Sequence, residues 1–231
     1  MNNLFQSSSQ STSLQNTFIA KVYGWMTLAL AITGFTSMFI ASSPGIVQAI
    51  YGNQFLFWGL LIGELVLVFV ISGAIQRMSS STATLLYLLY SVLNGITMSF
   101  IFLVYTKTSI ATTFLITAGT FGIMSIYGYV TKKDLTKVGN LLLMVLIGVI
   151  IASVVNIFLK SGTLNWIITI LGIIVFVGLI AYDTQKIKNI GHAGLDVETE
   201  KKLSIIGALA LYLDFINLFL LLLSLFGGRR D

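Results

Sequence analysis

The sequence predicts an all-α fold of seven membrane-spanning helices, and three observations carry that prediction. The 231 residues are 56% hydrophobic and 9% charged, against about 25% charged in ordinary soluble domains, and the mean hydropathy is +0.95. Seven apolar runs are each long enough to cross a hydrocarbon core of about 30 Å. The connections between them are short, and the basic residues are scattered through those connections.

Residues 1–18 (MNNLFQSSSQSTSLQNTF) carry no charged side chain and are rich in Ser, Gln and Asn, the composition of a flexible tail. Residues 19–231 then form a single membrane domain. The first apolar run is long and no basic cluster opens the chain, so it reads as an uncleaved anchor. Spans are expected near 22–43, 54–76, 83–105, 109–131, 138–159, 165–186 and 204–226. Pro44, the one proline, falls in the first connection. No proline therefore breaks a span in the way many transporter sites use. The stretch 187–203 is the longest connection, and its His192, Asp196, Glu198 and Glu200 read as a solvated loop.

Orientation follows from the basic residues. With a cytoplasmic N-terminus, Lys21, Arg77, Lys132, Lys133, Lys137, Lys186, Lys188, Lys201 and Lys202 lie inside, which is 9 of the 13. Lys107, Lys160, Arg229 and Arg230, the other 4, lie outside. That bias favours an inner N-terminus and an outer C-terminus. A six-span arrangement with a re-entrant last segment would bring Arg229 and Arg230 inside, and charge counting leaves it open.

Composition also excludes. There are no cysteines, so neither a disulfide framework nor a thiolate metal site is available. One histidine rules against a His-rich metal site. The net charge of +5 is dispersed over loops, a pattern that serves membrane orientation rather than nucleic acid. No nucleophile–base pair or cofactor motif is visible, so neither an enzyme nor a cofactor is expected. The last span has no central lysine, which argues against a retinal photoreceptor.

What remains is a short inventory of polar side chains inside the spans: Glu64, Asn94, Asn156, Asp183, Asp214 and Asn217. Asp214 lies amid LSIIGALALYLDFINLFLLLLSLF, where a charged side chain costs about 2.5–3.5 kcal/mol on insertion scales. Asp214 and Asn217 share a helix face at i, i+3. Asn94 and Asn156 fit interhelical hydrogen-bond glue as well as an ion pathway. Glu64 follows Gly59 and Gly63, a spacing that also suits close helix contact. Asp183 has Lys186 three residues on as an interfacial partner.

Two carboxyls brought together in a low-dielectric site cannot both ionise cheaply, and they titrate as one unit. Sharing one proton joins their helices; losing it creates repulsion or recruits a cation. Carboxylate oxygens are hard ligands suited to Ca²⁺, so Asp183 and Asp214 are also the candidate metal contacts. Arg77 would stabilise an ionised acid within its reach. Counting helical rise leaves Asp183 and Asp214 offset by about 10 Å along the membrane normal, so their meeting requires the sixth span to continue past Lys186.

AYDTQKIK at 181–188 and LALYLDFINLFLLLLSLFG at 209–227 resemble the signature of the Bax inhibitor-1 family. KVYGWMTLAL at 21–30, LNGITMSFIF at 93–102 and VNIF at 155–158 extend the resemblance along the chain. It implies a seven-helix bundle with the last helix central, and a pH-dependent calcium leak. It places the pH sensor on Asp183 and Asp214, the exchanging arginine on Arg77 and a pore cation contact on Glu64. The implied setting is a bacterial plasma membrane, with the lipid bilayer, calcium ions and protons as partners. A non-conducting regulator of stress or cell death acting through other proteins, and a transporter coupling H⁺ to cations, are the alternatives.

Overall fold

The computed structural model describes residues 2–191 and 195–230, with the side chains of 2–14 left aside; His192 lies outside the described residues. The described chain is helical. In order it forms α1 (Asn2–Ala41), α2 (Pro44–Tyr51), α3 (Gln54–Ala74) closed by the 3-10 turn Ile75–Arg77, and α4 (Ser80–Met98). There follow α5 (Ile101–Val104), α6 (Lys107–Val130), α7 (Thr136–Leu159), α8 (Gly162–Ile190) and α9 (Val197–Phe226). Seven stretches are long and apolar enough to cross a membrane: Gln15–Ala41, Gln54–Arg77, Ser80–Val104, Lys107–Val130, Thr136–Leu159, Gly162–Ile190 and Val197–Phe226. Each coincides with an expected span to within several residues.

Four local differences have physical causes. The helix of the first span extends upstream to Asn2, because adding a residue to an existing helix needs no new nucleus. The third span is broken without a proline: α4 stops at Met98 and α5 resumes at Ile101. Here Ser99 Oγ donates to the Ile96 carbonyl at 2.7 Å, and the Ser99 N–H takes the same oxygen. Such local hydroxyl bonds compete with the α-helical ladder. The last segment is one uninterrupted helix of 30 residues, not a re-entrant loop. It is also the most enclosed span, 67% of its apolar window being buried against 0% for α7. Gly59 and Gly63, finally, have open space where a Cβ would stand, so their spacing builds no close contact.

The chain clusters into two compact units. The first takes the residues up to Tyr105 with Ile190–Tyr212 and Arg230; the second takes Thr106–Asn189 with Leu213–Arg229. In the first unit, α1 and α4 approach closely at Gly95, where a Cβ would stand 2.8 Å from the Thr33 carbonyl oxygen. Thr33 Oγ1 and Ser37 Oγ donate across that seam to the carbonyls of Ser91 and Gly95, at 2.9 and 2.7 Å. Small residues and hydroxyls are the usual means of joining helices where burial alone gives no driving force. In the second unit, Gly128 of α6 abuts the Ala181 backbone of α8, and Gly139 of α7 lies against the Tyr182 ring.

Candidate functional site

The acids Asp183 and Asp214 both belong to the second unit. On α8, Gly172, Phe176, Leu179 and Asp183 recur at spacings of four, three and four, which places them on one stripe. Gly172 sits under Leu221 of α9, and three turns further along the same stripe Asp183 meets Asp214. Their carboxyls are within hydrogen-bonding reach of each other. The meeting depends on α8 running on to Ile190, four residues beyond Lys186 (190 − 186).

Asp214 is 5% exposed, and no donor reaches its buried Oδ2. Ionised carboxylates are acceptors only, so a bond between the two acids exists only while one of them carries a proton. Aromatic rings pack around the next residue of α9. Phe215 packs edge-on against Phe114 and Phe121 of α6, with ring centres 5.4 and 5.6 Å apart. Asp183 is only half-buried and feels the charge of the exposed Lys186. Asp214 is thus the more enclosed of the two acids.

The remaining candidates fall elsewhere. Arg77 is exposed at the end of its 3-10 turn in the first unit, in no ion pair among the described residues. Asn217 is half-buried and its Nδ2 donates to the Leu213 carbonyl of its own helix at 2.8 Å. Asn156 accepts from the Ser161 N–H at 3.0 Å, beside the left-handed Lys160 that ends α7, which is a helix-terminating role. Glu64 and Asn94 lie together in the first unit, with Asn94 Nδ2 donating to Glu64 Oε2 at 3.3 Å.

Sequence reasoning missed the hydroxyls that complete the first unit's cluster. Thr97 Oγ1 donates to Glu64 Oε1 at 2.7 Å, and Tyr212 OH donates to Asn94 Oδ1 at 2.8 Å. The available signal was Thr97 at i+3 from Asn94, one face of a helix. The acids of the 187–203 stretch are also more than a solvated loop. Glu198 accepts from the Ser80 N–H and hydroxyl at 2.6 and 2.7 Å, capping α4. Glu200 pairs with Lys21 at 2.6 Å. Asp196 accepts from the N–H groups of Glu198 and Thr199, opening α9. Free helix N-termini attract carboxylates through their unpaired N–H groups and their dipole.

No group of three or more His, Cys, Asp or Glu gathers among the described residues. Calcium takes six to eight oxygen ligands, so two carboxyls suit a passing contact with the ion better than a resident one.

Comparison with known proteins agrees with this architecture. The family model described as "Inhibitor of apoptosis-promoting Bax1" matches residues 15–231. An Escherichia coli K12 protein described as "Inner membrane protein YbhL" is 53% identical over 216 residues, covering 93% of this chain and 92% of that one. An uncharacterized protein of Borreliella burgdorferi is 46% identical over 223 residues, 96% of each chain. An uncharacterized membrane protein of Streptococcus pyogenes serotype M6 is 38% identical over 218 residues, 94% of each.

Proposed function

The chain belongs to the Bax inhibitor-1 family of membrane proteins, and from that premise we propose that it is a pH-sensitive calcium leak channel gated by Asp183 and Asp214. The observation that carries the reading is the approach of the two carboxyls at the α8–α9 seam, with Asp214 buried. While the pair shares a proton, the two helices are held together. When the proton leaves, like charges face each other in a low-dielectric site, where repulsion is screened least. Separation of the helices, or entry of a divalent cation between the acids, relieves that repulsion. Calcium is the fitting ion because both ligands are hard oxygens. The process is ion passage without covalent chemistry, so it calls for no cofactor.

The setting of this reading is a bacterial inner membrane, the location stated in the name of the Escherichia coli relative. The basic-residue bias supports a cytoplasmic N-terminus, and with that orientation Asp183 would lie toward the cytoplasmic face.

The test is Ca²⁺ flux into vesicles containing the purified chain, compared across about pH 5 to 8, since a buried pair of carboxyls that shares a proton responds to pH as a unit. Flux is expected to follow pH in the native chain and to lose that dependence in Asp183→Asn and in Asp214→Asn. Full pH dependence in both variants removes the pair from the gate. Absence of flux at every pH favours a non-conducting regulator, and obligatory proton counter-movement favours a coupled transporter.

A further inference from the structure

The first unit holds a buried acid of its own, which the aspartate reading does not use. Glu64 of α3 is 9% exposed. Thr97 Oγ1 donates to its Oε1 at 2.7 Å and Asn94 Nδ2 to its Oε2 at 3.3 Å. The same Thr97 Oγ1 lies 3.1 Å from the Asn94 carbonyl oxygen. A hydroxyl has one proton and two acceptor positions, so Thr97 serves one of these oxygens at a time.

The two choices match two states of Glu64. When Glu64 is ionised, the Thr97 proton points at Oε1. When Oε1 carries a proton, the acid donates to Thr97 Oγ1 and the hydroxyl's own proton turns to the Asn94 carbonyl. Neither state strands a buried polar atom of the trio, which is what would otherwise penalise one of them.

Asn94 is pinned from its other side. Its Oδ1 accepts from Tyr212 OH at 2.8 Å, and Tyr212 OH lies 2.7 Å from Thr33 Oγ1. The amide therefore keeps its nitrogen toward Glu64, leaving the Thr97 hydroxyl as the member free to turn. The titratable groups facing Glu64 are Tyr51 from α2, Tyr90 from α4 and Tyr212 from α9. No cation is among them. Arg77 stands 13 residues along (77 − 64), about 20 Å at helical rise. With no counter-charge facing it among the described residues, a proton taken from water is the ligand that neutralises the site.

We propose that Glu64 is a proton-binding site additional to the aspartate pair, in which the Thr97 hydroxyl turns between Glu64 and the Asn94 carbonyl as the proton arrives and leaves. Thr97 stands one residue before the end of α4, so the turning hydroxyl acts on the last turn ahead of the break in the third span.

Infrared difference spectra between acid and alkaline pH test this on the full chain in lipid vesicles. An Asp183→Asn/Asp214→Asn background removes the aspartates' own carboxyl bands, so the outcome is independent of the gate reading. A carboxyl carbonyl band is expected to appear on acidification and to vanish when Glu64→Gln is added. Thr97→Val should move that band to higher frequency, the sign of a lost hydrogen bond, and Thr97→Ser should return it. A double-Asn background without any pH-dependent carboxyl band overturns the proposal. So does an identical band position in Thr97→Val and the native residue. Should the double variant fail to fold, Thr97→Val against Thr97→Ser in the otherwise unaltered chain reads the same shift.

Discussion

Asp214 is the residue on which most turns, and its consequences are measurable at its own scale. Asparagine in its place supplies a permanent N–H donor to Asp183, so the seam stays joined at any pH. Two loop carboxyls do not confuse that measurement. Hydrogen bonds from Thr136 hold Asp134 below the ordinary carboxylate range, and those from Thr199 do the same for Asp196. A depressed carboxyl contributes stability above its unfolded pKa and loses it as pH falls through the folded one. Both acids therefore remain ionised from about pH 5 to 8, and a flux change in that window is not theirs. Arg77, exposed and outside any described ion pair, is the guanidinium that the proposed gate would involve. Arg77→Ala is expected to shift the midpoint of the flux profile while leaving flux itself; an unmoved midpoint takes the guanidinium out of the mechanism. The sequence drew attention to Asp214 because a carboxyl amid Leu, Phe and Ile is costly, and to Asp183 through the resemblance, although Lys186 gave Asp183 an ordinary partner. It hid Thr97 and Tyr212, because hydroxyls inside spans are ordinary until their partners are known.

At the level of elements, the sequence located the seven spans because a long apolar run has one use at this length. Where those helices touch was much less legible. Gly59 and Gly63 have the spacing of a contact motif and touch nothing, whereas the lone Gly95 admits α1 to within a Cβ's width. Spacing reports which residues share a face; only the neighbour decides whether that face is covered. Gly95→Ala should thus lose stability, by about 1–3 kcal/mol as for other overpacked sites, although alanine is the better helix former by about 1 kcal/mol. Unfolding in mild detergent, followed by helical signal, measures it, and a stabilised variant would contradict the packing described. The acidic stretch before α9 was misread for a related reason. Glu198 looks solvated until the N-terminus of α4 is placed beside it. Glu198→Gln keeps the shape but weakens the charge-assisted cap, so amide exchange in the first turn of α4 should quicken severalfold, while that of α7 stays unchanged.

For the molecule as a whole, if each of the seven candidate helices crosses, the two chain ends lie on opposite sides of the membrane. With the basic-residue bias, the expectation is an inner N-terminus and an outer C-terminus. Fusions answer this directly. A reporter active only in the cytoplasm should work at the N-terminus, and one active only outside should work at the C-terminus. Both ends reporting the same side would mean that one apolar helix does not cross. Composition made the membrane setting legible at once, since 9% charged residues leave too little polar surface for a soluble body. It was silent on the grouping into two units.

The interruption at Ser99 and Phe100 has one more implication. Tyr51 of α2 brings its hydroxyl to 3.2 and 3.1 Å from the carbonyls of Ile96 and Thr97, and to 2.9 Å from Ser99 Oγ. Lipid tails offer such carbonyls nothing. An aromatic residue on a short surface helix thus serves as the insulation for a gap in another strut. Strip off that single oxygen, as Tyr51→Phe would, and the break keeps only the Ser99 donors to Ile96, so amide exchange just past it is expected to quicken.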